Sequence, residues 1–176
     1  LVTAKGSTFS NGPSNYFRLA SNPQDLAEAT SQLFLGVRLQ CAKCHNHPFD
    51  RWTQADYYGW SNLFARVDYK IIENKRKDDN DKHEFKGEQI VFIGSKGTVE
   101  NERTGEPAKP RFLGAGEPPS DQAPDELAAL ADWVTGPDNP YFPRTQANRI
   151  WFHLMGRGLV DPVVVIRGVQ HQWGLG

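Results

Sequence analysis

Apolar side chains return every three or four residues in four stretches of this chain, the spacing that lines one face of an α-helix. In the first stretch they are Leu26, Ala29, Leu33 and Val37, and Cys41 and Cys44 fall on the same period. Asn22 is placed to cap this helix, with Pro23 at its first position and Asp25 completing the capping arrangement. The pattern therefore predicts two thiols that continue a buried stripe, with Leu33, Phe34 and Val37 as ordinary core. Thr53 and Asp56 read as a capping box for a second helix that carries Tyr57, Trp60, Phe64 and Val67 on one face. Pro124 and Asp125 open a third, with Leu127, Leu130, Trp133 and Val134 inside and Gly136 as its stop. A fourth spans about 143–155, with Ala147, Ile150, Trp151 and Leu154 as its core face and Gly156 past its end.

Between the second and third helices the pattern changes. Residues 70–86 contain a run of mixed charge that reads as a solvated loop. Gln89-Ile90-Val91-Phe92-Ile93 is rich in β-branched and aromatic residues, and 94–97 is a turn signal. Further short strands are expected at 98–101 and 109–113, around the Thr104-Gly105 turn. Residues 114–124, rich in Gly and Pro, read as a linker. The expected fold is mainly α with a small antiparallel β insertion.

The candidate chemistry lies at Cys41-Ala42-Lys43-Cys44-His45. Two thiols three residues apart, followed at once by a histidine, are what covalent attachment of a c-type haem requires. Each cysteine adds to one vinyl group of the porphyrin, and the adjacent imidazole becomes the proximal ligand of the iron. Other readings use the same residues. Structural zinc needs four ligands, and the chain has no second cysteine pair, although Cys41, Cys44, His45 and His47 could form a haem-free metal-binding module. A thioredoxin-like pair belongs in a βαβ pattern that is missing here, and a lone short-range disulfide does little to staple 176 residues.

Pro48 turns the chain away from helix at His47, which stands too close to His45 to reach the opposite face of the same iron and reads as its hydrogen-bonding support. Asp50 and Arg51 read as a propionate-side pair or an exposed salt bridge, the second being favoured. For the sixth, distal position His153 is preferred and Met155 comes next, since they flank the apolar stripe of the fourth helix. His83, in the charged run, is a further donor, and His171 is a weak candidate. No distal acid–base set is identifiable, so electron transfer is favoured over a haem enzyme with an open sixth position.

Composition narrows the partners. A formal net charge of −1 gives no support for nucleic acid, and no apolar run approaches 18 residues, so no membrane span is expected. The expected partner is a redox protein. The opening Leu1-Val2-Thr3-Ala4 is no signal peptide, which suggests a mature or truncated chain.

Residues 31–54, SQLFLGVRLQCAKCHNHPFDRWTQ, followed by Asp56-Tyr57-Tyr58, resemble the core of the planctomycete cytochrome-type domain of the second type. Asn148-Arg149-Ile150-Trp151 and Gly156-Arg157-Gly158-Leu159-Val160-Asp161-Pro162 resemble the opening of the planctomycete-specific domain that follows it in longer proteins. The resemblance implies an extracytoplasmic, periplasmic module bearing haem c. It divides the chain into a haem domain at 1–113, with its β insertion at about 88–113, a linker at 114–124, and a helical segment at 125–176 that begins a downstream domain packed on the first. Residues 163–176, VVVIRGVQHQWGLG, depart from the acidic stretch that the family resembles at this point, as a truncation or a shifted reading frame would.

Overall fold

The computed structural model describes residues 1–20, 22–75, 86–118, 125–161 and 163, so His83, His171, Pro124 and most of the divergent tail lie outside the described residues. Helix α1 (Pro23–Thr30) starts as its sequence dictates: Asn22 Oδ1 accepts the Asp25 backbone N–H at 2.8 Å, and Asn22 Nδ2 donates to the Asp25 carboxylate. It widens into a π-helical turn at Ser31–Leu35 and ends at Gly36, whose φ of +67° is a left-handed conformation that favours glycine. Gly36 and Val37 both donate their backbone N–H to the Ser31 carbonyl.

That termination overturns one expectation. Residues 36–39 are not helical, and Cys41 sits in a separate 3-10 turn, Gln40–Lys43, with Cys44 capping it. The thiols share the period of α1 without sharing its helix. Both are exposed.

Helix α2 (Gln54–Asn62) opens on the expected capping box, Thr53 Oγ1 accepting from Asp56 N and the Asp56 carboxylate accepting from Thr53 N. Its apolar face is the centre of the molecule. Trp60 is fully buried, donates Nε1–H to the Ala27 carbonyl at 2.8 Å, and packs edge-on against Phe64 and Trp133. Val67, expected on this helix, instead begins a strand. The chain leaves helix at Asn62, whose amide accepts from Val99 N and donates to Ala108 O. A Cβ at Gly97 would stand 2.1 Å from the Ala65 carbonyl oxygen, so the loops here close only around glycine.

The sheet has three antiparallel strands in the order β1 (Gly6–Ser7), β3 (Gln89–Ile93), β2 (Val67–Ile71). Its register pairs Val67 with Ile93, Tyr69 with Val91 and Gly6 with Val91. The expected strand at 89–93 forms, but its partners come from outside the expected insertion. At 98–101 and 109–113 only single bridges form, Glu100 to Pro107 and Phe112 to Gly116. Pro107 and Pro110 carry no N–H with which to extend a ladder.

Helix α3 (Glu126–Thr135) is capped by Asp125, which accepts from Ala128 N, and ends at Gly136. Its Leu127, Leu130 and Val134 join the same core as Leu26, Trp60 and Leu113, and Trp133 stacks on Phe112 at 5.0 Å. Helix α4 (Tyr141–Met155) ends at Gly156, φ +72°, but presents the opposite face to the one expected. Tyr141, Thr145 and Asn148 are buried, whereas Ile150 and Leu154 are 61% and 76% exposed and Ala147 and Trp151 also face solvent. Polar bonds decide the matter: Gln146 and Arg149 donate to the carbonyls of Leu33 and Gln32, and Asn148 bonds both backbone groups of Val160. Among the described residues no helix is long and apolar enough to cross a membrane.

This division of roles predicts a contrast in stability. Trp60→Ala, which opens a cavity and strips a partner from Ala27, is expected to cost about 3–5 kcal/mol in urea unfolding. Leu154→Ala is expected to stay within about 0.5 kcal/mol of the parent, and an equal loss would show that α4 packs the other way.

Candidate haem-attachment site

The 3-10 turn at Gln40–Lys43 is held from α2. Lys43 O accepts hydrogen bonds from Gln54 Nε2 and from the Tyr58 hydroxyl, both at 3.1 Å, and Gln54 and Tyr58 are four residues apart on one helical face. Ala42, fully buried, faces the core from the same turn. Residues three apart in a 3-10 turn eclipse, so Cys41 and Cys44 emerge on one side. Both are free thiols at the surface.

His45 follows directly and is exposed. Its Nδ1 lies 2.7 Å from the Asn46 carbonyl, which can only accept, so Nδ1 carries a proton and, in the neutral ring, Nε2 keeps its lone pair. His47 has the complementary state: its Nδ1 accepts the Phe49 backbone N–H at 3.2 Å, which in the neutral ring leaves the proton on Nε2. Thus one histidine offers a bare nitrogen and the other a donor, two residues apart.

The segment after the motif is a closed loop. His47 N donates to Trp52 O at 2.8 Å, and Asn46 Oδ1 accepts from Gln54 N. Phe49 stands at its tip, 89% exposed. Asp50 accepts the backbone N–H of Arg51, and the Arg51 guanidinium leaves Asp50 to lie over the Trp52 ring at 4.7 Å and donate to the Tyr141 hydroxyl. The expected Asp50–Arg51 salt bridge is thus replaced by an aromatic contact. Burial raises the pKa of the Tyr141 phenol, Arg51 and Arg144 pull it back, and Asp50 pushes it upward. Tyr57, at the core side of α2, donates to Glu28 Oε1 at 2.8 Å, and its phenol is raised by burial and by that carboxylate.

The first turn of α4 reaches this loop through Tyr141. His153 and Met155 lie about 18 and 21 Å further along the helix axis, at 1.5 Å per residue. Both are exposed, and His153 packs edge-on against Phe152. No described contact joins either to His45. Among the described residues no group of three or more His, Cys, Asp or Glu side chains gathers as a metal site.

The residues present fit a covalently attached haem: two accessible thiols on one turn, and beside them an imidazole that in its neutral form leaves Nε2 unprotonated. The sequence showed the donors. It could not show the tautomers, which depend on a backbone carbonyl and a backbone N–H, nor that Lys43 anchors the turn.

Residues 4–69 match the family PSCyt2, a protein of unknown function (DUF1549), and residues 127–166 match PSD1, a protein of unknown function (DUF1553). The two matches reproduce the planctomycete domain pair. No curated protein and no solved structure matches the chain.

The geometry predicts that the folded, haem-free chain titrates two thiols with an aromatic disulfide reagent in the absence of denaturant. Thiols that react only after unfolding would contradict the exposed turn.

Proposed function

We propose that this chain is a c-type cytochrome module that holds one haem through Cys41 and Cys44, with His45 as proximal ligand, and passes electrons to a redox partner protein outside the cytosol. The observation that carries the reading is the His45 Nδ1–H bond to Asn46 O, which leaves Nε2 free to ligate beside two exposed thiols. Cys41 and Cys44 would hold the haem through two thioethers, each the redox-neutral addition of S–H across one vinyl group. Haem bound there supplies one-electron chemistry at its iron. The chain's own contribution is orientation: α2 fixes Lys43 O, and the Asn46 carbonyl holds the imidazole ring in place. Periplasmic location belongs to the same proposal, since such attachment is the business of extracytoplasmic maturation.

A haem enzyme with an open sixth position is the second reading. The exposure of His153 and Met155 at the far end of α4 favours it, because no described contact joins either to His45. A haem-free metal module lacks comparable support, since His47 Nδ1 is engaged by Phe49 N.

Chain exported with haem-maturation machinery is expected to keep a haem-staining band after denaturation, and Cys41→Ala together with Cys44→Ala to lose it. A colourless protein carrying one zinc per chain would refute the proposal. In the haem-loaded protein, His153→Ala and Met155→Ala are each expected to leave the reduced absorption spectrum unchanged. A low-spin to high-spin change in either variant would restore that residue as distal ligand.

A further inference from the structure

Beside the motif loop, Trp52 and Arg51 lie against Tyr141, and Arg144 stands one helical turn along from it. Trp52 is only 3% exposed, and its Nε1–H is buried with no hydrogen-bond partner among the described residues. Arg144 Nη1 is likewise buried and, among the described residues, unpartnered. Arg51 lies over the Trp52 ring and against the Tyr141 hydroxyl. The Trp52 and Tyr141 rings are 6.1 Å apart, and Arg144 follows Tyr141 by one helical turn. Among the described residues no carboxylate lies within ion-pair distance of either guanidinium.

Buried donors are almost always satisfied, so an orphaned indole and an orphaned guanidinium N–H around one phenol point to an acceptor that belongs there. Two guanidiniums select an anion, and their planar forks suit carboxylate oxygens. Gly114 makes room for Arg51: a Cβ at that position would stand 2.6 Å from Arg51 Nη2. The cluster is also tied to the motif. Trp52 O accepts from His47 N, two residues beyond His45. Lysines are not needed for this recognition, and the Arg51 guanidinium is already turned from Asp50, the nearest acid in sequence.

We propose that Arg51, Trp52 and Arg144 form the carboxylate-binding end of the haem site and receive the haem propionates. This rests on the haem reading above. Arg51 and Arg144 supply charge, and the indole N–H supplies a directed hydrogen bond. They are positioning residues, since they orient the porphyrin edge and leave the iron to His45.

The test uses the exported, haem-loaded chain and the variants Trp52→Phe, Arg51→Gln and Arg144→Gln. Haem staining after denaturation is read first and reports attachment alone, so absence of covalent haem sinks the haem reading and the propionate assignment together. Where haem is attached, resonance Raman reads the propionates, whose bending band stiffens with hydrogen bonding. The proposal expects that band to fall to lower frequency in each variant while the iron–histidine stretch stays in place. An unchanged propionate band in all three variants overturns it, with covalent haem still present.

A second arm follows the Trp52 indole ¹⁵N–¹H resonance of the haem-free chain, assigned with Trp52→Phe, during titration with citrate. A saturable shift that Arg51→Gln removes supports carboxylate recognition. A shift with citrate combined with an unchanged Raman band assigns the cluster to a free carboxylate instead and overturns the propionate proposal.

Discussion

The carbonyl of Lys43 accepts from Gln54 Nε2 and from the Tyr58 hydroxyl, and through these two bonds the exposed cysteine turn inherits the rigidity of the core. Gln54 and Tyr58 belong to the helix whose other face holds Trp60, so the same element that fixes the centre of the fold fixes Cys41 and Cys44. A surface turn of four residues has little stability of its own, since the 3-10 geometry is poor and its side chains are mostly solvated. Here it is clamped by neutral hydrogen bonds of about 1 kcal/mol each and by buried Ala42. The arrangement leaves the thiols open and their backbone fixed, which is the combination that covalent capture of a large planar group requires.

The parts of the fold that were legible in the sequence are those set by local chemistry. Asn22 with Asp25, Thr53 with Asp56, Asp125, Gly136 and Gly156 mark helix ends because each satisfies backbone groups, or adopts a conformation, within a few residues. The failures are non-local. A period of 3.6 locates a stripe without saying which side has a neighbour, and on α4 the apolar side is exposed while Tyr141, Thr145 and Asn148 meet the core. The cysteines fell on the period of α1 by coincidence, since Gly36 ends that helix five residues before Cys41. Strand β1, two residues long, carries too little pattern to be seen, and β2 was hidden because Val67 also suits the face of α2.

At the site the same division holds. Residue identities at Cys41, Cys44 and His45 were plain from spacing, and Trp52 and Arg51 were visible as neighbours. Their roles were not. Arg51 turns to Tyr141, ninety residues away in the chain, and the donors left without acceptors appear only when α4 is laid against the motif loop. The fold thereby links the two matched segments: Tyr141, from the second, borders Arg51 and Trp52, from the first.

The central claim is that both thiols of one surface turn are bonded to a single haem, and intact mass spectrometry of the denatured, exported chain tests it most directly. The account predicts one species heavier than the polypeptide by a single haem, with no thiol left to alkylate. A species at the polypeptide mass with two alkylatable thiols, from cells in which a control c-type cytochrome is fully matured, would contradict it.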